Sequence, residues 1–183
     1  GGMKRSALGA GIKAGGPNYA VSFMHAEESQ PLEGNERLIV AEESYRLAWE
    51  NEFSLERDIH QIHGESNVFR YLPVKKMAFR VQESDSFIDV LMVLKALEIT
   101  GVNAEISCEK GSALLNMIKD NAGKRKVISE DLLSFVQRMN QFERVRTTGS
   151  ELPEDMYRKA AQEGVYLATQ IRNPSVLSDR IAG

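Results

Sequence analysis

The sequence predicts an α/β fold: a Rossmann-like parallel sheet with helices on both faces, preceded by a glycine-rich segment and a long helix. Two observations point there. From about residue 67, short β-prone runs alternate with longer segments whose apolar residues recur at three- and four-residue steps. Strands separated by helices favour parallel pairing, because a parallel partner needs a crossover rather than a tight turn. No repeat period or low-complexity tract competes with this pattern.

Three regions follow from the pattern: residues 1–30, 31–66 and 67–183. The first joins a glycine-rich loop to a strand-like run at 19–25, in which Tyr19, Val21 and Phe23 share a face. In the second, a helix is expected over 35–57, with Leu38, Ala41, Tyr45, Ala48 and Trp49 as its apolar stripe.

In the third region, Pro73 precedes a β-prone run at 74–81. Ser84 is placed to cap a helix carrying Phe87, Val90, Leu91, Leu94 and Leu97, which Gly101 would close. A strand is expected at 102–108, a helix at 112–121, and a connection or short strand at 123–128. Ser129 would cap a helix over 130–141, striped by Leu132, Phe135, Val136 and Met139. After a strand-like 142–147, Pro153 starts a helix with Glu154 and Asp155 in its first turn and Gly164 past its end. A last short strand is read at 165–168.

Composition narrows the classes. The 23 Lys and Arg stand against 26 Asp and Glu, a net charge of -3, so the basic surface that nucleic-acid backbones require is not expected. The apolar stretch 87–97 is broken by Asp89 and Lys95 and is too short for a transmembrane segment. With one cysteine no intramolecular disulfide can form, and no apolar signal-type core stands near the N-terminus. A reducing, cytoplasmic setting is the expectation.

Several residues invite chemistry, and each has a plainer reading. Gly9, Gly11 and Gly15 mimic a dinucleotide loop, but no strand precedes them to deliver phosphate to a helix N-terminus. His60 and His63 in HQIH are spaced to share a helical face and offer two metal ligands, yet no third is near and a solvated loop is the stronger reading. Cys108 ends an apolar run, where a free cysteine is ordinarily a small buried hydrophobe, and no histidine stands close in sequence to activate it. Lys124, Arg125 and Lys126 read as a solvated turn. The adjacent pairs Glu27 with Glu28 and Glu42 with Glu43 point to different sides and are not facing carboxylates.

Two stretches add a resemblance. GGMKRSALGAGIKAGGPNY resembles the last catalytic-domain segment of the aldehyde dehydrogenase superfamily, and KAGGPNY is similar to pyrroline-5-carboxylate dehydrogenases in particular. SYRLAWENEF followed by GESNVFRYLPV resembles the region after that catalytic domain in the proline utilization A family, which joins proline dehydrogenase to L-glutamate γ-semialdehyde dehydrogenase. The later alternation of strands and helices fits that family's C-terminal domain, which is similar to an aldehyde dehydrogenase domain without its catalytic groups.

The resemblance implies that the chain is the C-terminal region of a longer enzyme. Residues 1–30 would end its catalytic domain, 31–66 would be a linking helix, and 67–183 a non-catalytic α/β domain. Gly15 and Gly16 would hold the substrate's α-carboxylate through their backbone N–H groups. NAD would serve the parent's dehydrogenase and FAD its proline dehydrogenase, with no cofactor in this part. The catalytic cysteine and general-base glutamate belong upstream, so no catalytic residue is assigned here. Partners would be the rest of the parent chain and, in a homo-oligomer, further copies of the parent. A different class remains open: a stand-alone α/β regulatory module that binds a small molecule or nucleotide.

Overall fold

The computed structural model describes residues 33–58, 60–148 and 152–168. The strand expected at 19–25, and Gly15 and Gly16, lie outside the described residues.

The first helix, α1 (Gly34–Ala48), runs on through a π-helical turn, Trp49–Phe53. Two-residue strands β1 (Arg57–Asp58) and β2 (Val68–Phe69) then pair antiparallel, a hairpin too short to carry a period in the sequence. Next come β3 (Met77–Val81), α2 (Phe87–Thr100), β4 (Ala104–Glu109), α3 (Leu115–Asn121) and β5 (Val127–Glu130). The chain continues through α4 (Leu132–Arg138), a 3-10 turn at Met139–Gln141, β6 (Arg144–Arg146), α5 (Glu154–Glu163) and β7 (Tyr166–Ala168).

The five strands β3 to β7 form one parallel sheet in the order β5-β4-β3-β6-β7. The chain starts at the centre, builds outward through β4 and β5, then returns to the other side of β3. This is the order of a doubly wound sheet, with its reversal between β3 and β6. Side chains alternate across it. Phe79, Val81, Ile106 and Cys108 pack with Val90, Val93, Leu94 and Leu97 of α2 and Ile118 of α3. On the opposite face, Ala78 and Val145 pack with Phe135 of α4, Met139, and Met156 and Ala160 of α5. The α/β architecture with helices on both faces is as expected.

Helix α2 is apolar nearly all round because it is covered twice. Its other side, Met92 and Ala96, packs on Ala41, Tyr45 and Phe53 of the α1 region, and Arg37 of α1 pairs with Asp89 at 2.9 Å.

Helix starts are where the structure corrects the sequence reading. Ser86, not Ser84, is the N-cap of α2, and its side chain makes no capping hydrogen bond. Ser129 lies within β5 rather than capping a helix; Asp131 caps α4 instead, its carboxylate accepting from the Ser134 N–H at 2.7 Å. An acidic side chain reaches the orphan amides of the first turn, and the strand takes the two residues before it. The helix ends themselves were well marked: Gly101 and Gly164 close α2 and α5 in the left-handed conformation, each at φ +67°.

Candidate functional site

In an open α/β sheet, ligands favour the crevice at the carboxyl ends of the strands where the order reverses. Here that place lies between β3 and β6. The β3–β4 ladder runs to Val81 beside Cys108, whereas the β3–β6 ladder stops at Phe79 beside Arg146, so β3 and β6 part before β3 ends.

The turn leaving β3 is Gln82-Glu83-Ser84-Asp85-Ser86, with no glycine. Two of its amides are held by the chain's own carboxylates. Asp85 Oδ2 accepts from the Gln82 N–H at 2.7 Å, and Glu109 Oε2 from the Glu83 N–H at 2.9 Å. A dinucleotide's pyrophosphate would need those amides and would meet two carboxylates.

A part-buried ionic network lies on the α4 face of the sheet. Arg138 of α4 reaches Glu130 with Nε on Oε2 at 2.9 Å and Nη2 on Oε1, while its Nη1 binds Glu105. Glu105 also accepts from Lys126 at 2.9 Å. Ser107 donates to Glu130 Oε1 at 2.6 Å and accepts from Arg80 Nη1 at 2.9 Å; the same Nη1 reaches the Glu130 carbonyl at 3.1 Å. The Phe135 ring is 5.4 Å from the guanidinium of Arg80 and 5.6 Å from that of Arg138, which is cation–π range.

The electrostatics follow from that geometry. Burial pushes the Glu130 carboxyl up, but hydrogen bonds from Arg138 and Ser107 outweigh it and hold the group below its ordinary value. Glu105 behaves alike, with Lys126 and Arg138 opposing burial. The Glu130 hydrogen bonds raise Arg138 against burial. For Arg80, burial dominates and lowers it, opposed by the Glu109 and Glu130 charges.

Arg80 is fully buried, and its Nε and Nη2 have no hydrogen-bond partner. Gln82 Nε2, Thr147 Oγ1 and Thr148 Oγ1, also buried and just beyond the ends of β3 and β6, share that condition.

The residues singled out from sequence are scattered. Cys108 is fully buried in the α2 core, where burial raises its thiol and a hydrogen bond with Ser112 opposes that only in part; it has the surroundings of a packing residue, not a nucleophile. His60 and His63 sit in the exposed β1–β2 connection, not on a helix. Asp58 shapes that loop by accepting from the backbone N–H of His60, Gln61 and Asn67. Among the described residues, no three His, Cys, Asp or Glu side chains cluster as a metal would require.

Glu42 and Glu43 are both exposed on α1, and Glu42 lies 3.5 Å from Lys95. The basic run 124–126 is more than a solvated turn. Arg125 donates to the Leu97 and Val102 carbonyls at 2.6 and 3.0 Å, satisfying the C-terminal end of α2.

Sequence reasoning missed Arg80 and Thr147. Their signal was a charged residue inside the apolar run MAFRV and a Thr-Thr pair at the end of a strand. No protein-family model matches the chain, and neither a curated protein nor a solved structure matches it.

Proposed function

We propose that this chain is the C-terminal region of a cytoplasmic, proline-catabolic enzyme of the proline utilization A type, which oxidises L-glutamate γ-semialdehyde to L-glutamate with NAD. In this reading the α/β domain is a structural or lid domain that does no chemistry. Gly15 and Gly16 grip the α-carboxylate of the substrate from the end of the catalytic domain. NAD accepts hydride in the part of the parent upstream of this chain, and the parent assembles with further copies of itself.

One observation carries the reading. The sheet has the order of a dinucleotide-binding fold, yet two amides of the turn where phosphate would sit, those of Gln82 and Glu83, are held by Asp85 and Glu109. A scaffold that keeps the fold while closing its nucleotide site suits a domain retained for its shape. The motifs KAGGPNY and GESNVFRYLPV support the particular parent. No helix of the described residues is long and apolar enough to cross a membrane.

The test compares this chain with the longer polypeptide that includes the residues encoded before Gly1. The longer form should reduce NAD in the presence of glutamate semialdehyde, and Gly15→Ala with Gly16→Ala should raise KM more than it lowers kcat. This chain alone should neither reduce NAD nor bind it. Saturable NAD binding by the 183 residues, or a longer form inactive toward the semialdehyde, would overturn the reading.

The second reading, a stand-alone module that binds a small molecule, is favoured by one fact: the unpartnered donors at the end of β3.

A further inference from the structure

We infer that the crevice between the carboxyl ends of β3 and β6 is a binding site for the carboxylate group of a small organic acid, held chiefly by Arg80. The inference goes beyond the proposed parent enzyme and does not depend on its reaction.

The argument starts from which atoms of Arg80 are committed. Nη1 is taken by Ser107 Oγ and the Glu130 carbonyl. Nε and Nη2, which together form one side of the guanidinium fork, are shielded from solvent and donate to nothing. That edge matches two oxygens of one carboxylate. The molecule itself supplies the comparison, since Arg138 uses the same pair, Nε and Nη2, to grip both oxygens of Glu130. Arg80 thus presents the same edge, with no acceptor from the described chain.

The neighbouring atoms agree in kind. Phe79 pairs with Arg146, so the next residues, Arg80 and Thr147, leave the ladder side by side on one face of the sheet. Thr147 is fully buried and its hydroxyl has no partner. Gln82, two residues beyond Arg80, has an unpartnered Nε2. Each of these groups can donate, and leaving buried donors unmade costs stability that an acceptor ligand would recover. The group that suits these donors together is an acceptor with at least two oxygens.

Charge selects among oxyanions. Arg80 already feels Glu109, Glu130 and Asp131. A second phosphate charge would gain at Arg80 but lose at each of these carboxylates, so it would add little to binding. Two of the backbone amides that the turn could offer a phosphate are already bonded to Asp85 and Glu109. A single carboxylate needs only the side-on edge of Arg80 and the Thr147 and Gln82 donors.

The experiment is an NMR titration of the 15N-labelled full chain, following arginine Nε–H resonances in chloride-free buffer. The probes are acetate, glutarate and inorganic phosphate. The Arg80 resonance, identified by its absence in Arg80→Lys, should shift saturably with acetate or glutarate and more weakly with phosphate. Arg80→Lys, followed through backbone amides of 82 and 147, should weaken binding at least about tenfold, because an ammonium cannot offer the planar fork. Thr147→Val should weaken it a few-fold and keep the fold intact by circular dichroism. No saturable shift with either acid would overturn the inference, as would tighter binding of phosphate than of acetate. Unchanged affinity in Arg80→Lys would do the same, or in Thr147→Val should the lysine variant fail to fold.

Discussion

Arg138 lays one edge of its guanidinium along both oxygens of Glu130, joining α4 to the end of β5, the element that immediately precedes it in the chain. The side chains are 19% and 10% exposed, so the pair is largely out of water. Removing one partner leaves a buried charge uncompensated. Glu130→Gln should therefore cost about 1 to 3 kcal/mol at pH 7, read by urea denaturation. The same pair sets a pH dependence. Glu130 and Glu105 titrate below their ordinary value of 4.5 in the fold, so their contribution is complete above that pH and is lost as pH falls through the folded values. The gap between wild type and Glu130→Gln should shrink from pH 7 toward pH 3. A constant gap would mean that Glu130 is not held as a carboxylate by Arg138.

How much of this was legible in the sequence depends on distance along the chain. Gly101 and Pro153 are local signals, and they marked the end of α2 and the start of α5 correctly because helix ends are decided within a turn. The boundary between β5 and α4 failed because Ser129 and Asp131 are both good caps, and only tertiary pairing beside β4 draws 127–130 into a strand. The apolar second face of α2, with Met92 and Ala96, was visible as residues but not read as the sign of another layer. The network around Arg80 was illegible for a different reason. Its partners lie 27 and 50 residues away, and nothing local distinguishes an arginine that will be buried from one that will be solvated. The proposed grip of Gly15 and Gly16 lies outside the described residues.

Phe135 and Leu133 test the two sides of α4. Phe135 is fully buried within cation–π range of Arg80 and Arg138 and lies near-parallel to Phe142 at 6.4 Å, while Leu133 is 68% exposed. Phe135→Ala removes a packed ring and should cost about 3 to 5 kcal/mol. Leu133→Ala should stay within about 0.5 kcal/mol of wild type, as exposed substitutions do. Thermal or denaturant melts of the two variants check this, and comparable losses would show that the helix is rotated from the orientation described.

Gly101 isolates a backbone effect. It sits at φ +67°, and a Cβ added there would meet no atom within 4 Å. Gly101→Ala therefore introduces strain without a clash and should cost about 1 kcal/mol. Arg125 still holds the Leu97 carbonyl in that variant, so α2 should keep its length by hydrogen exchange. A loss of several kcal/mol, or fraying of the last turn of α2, would mean that the glycine contributes more than its dihedral freedom.

Cys108 offers a chemical probe of the core. It lies on β4 beneath α2, fully buried, and burial raises its thiol above the ordinary 9.0, opposed by the Ser112 hydrogen bond and the Arg80 charge. Reaction requires the thiolate in contact with the reagent, and the fold withholds both conditions. A disulfide reagent at pH 8 should therefore modify the folded chain only at the rate of opening, orders of magnitude slower than in urea. Cys108→Ala should cost roughly 1 to 2 kcal/mol for the small cavity it leaves. Cys108→Ser should cost at least as much, because the core strips water from the hydroxyl and the Ser112 hydrogen bond recovers only part of that cost. Rapid labelling of the native chain at neutral pH would contradict the packed position of β4 and, with it, the register that sets Ser107 beside Arg80.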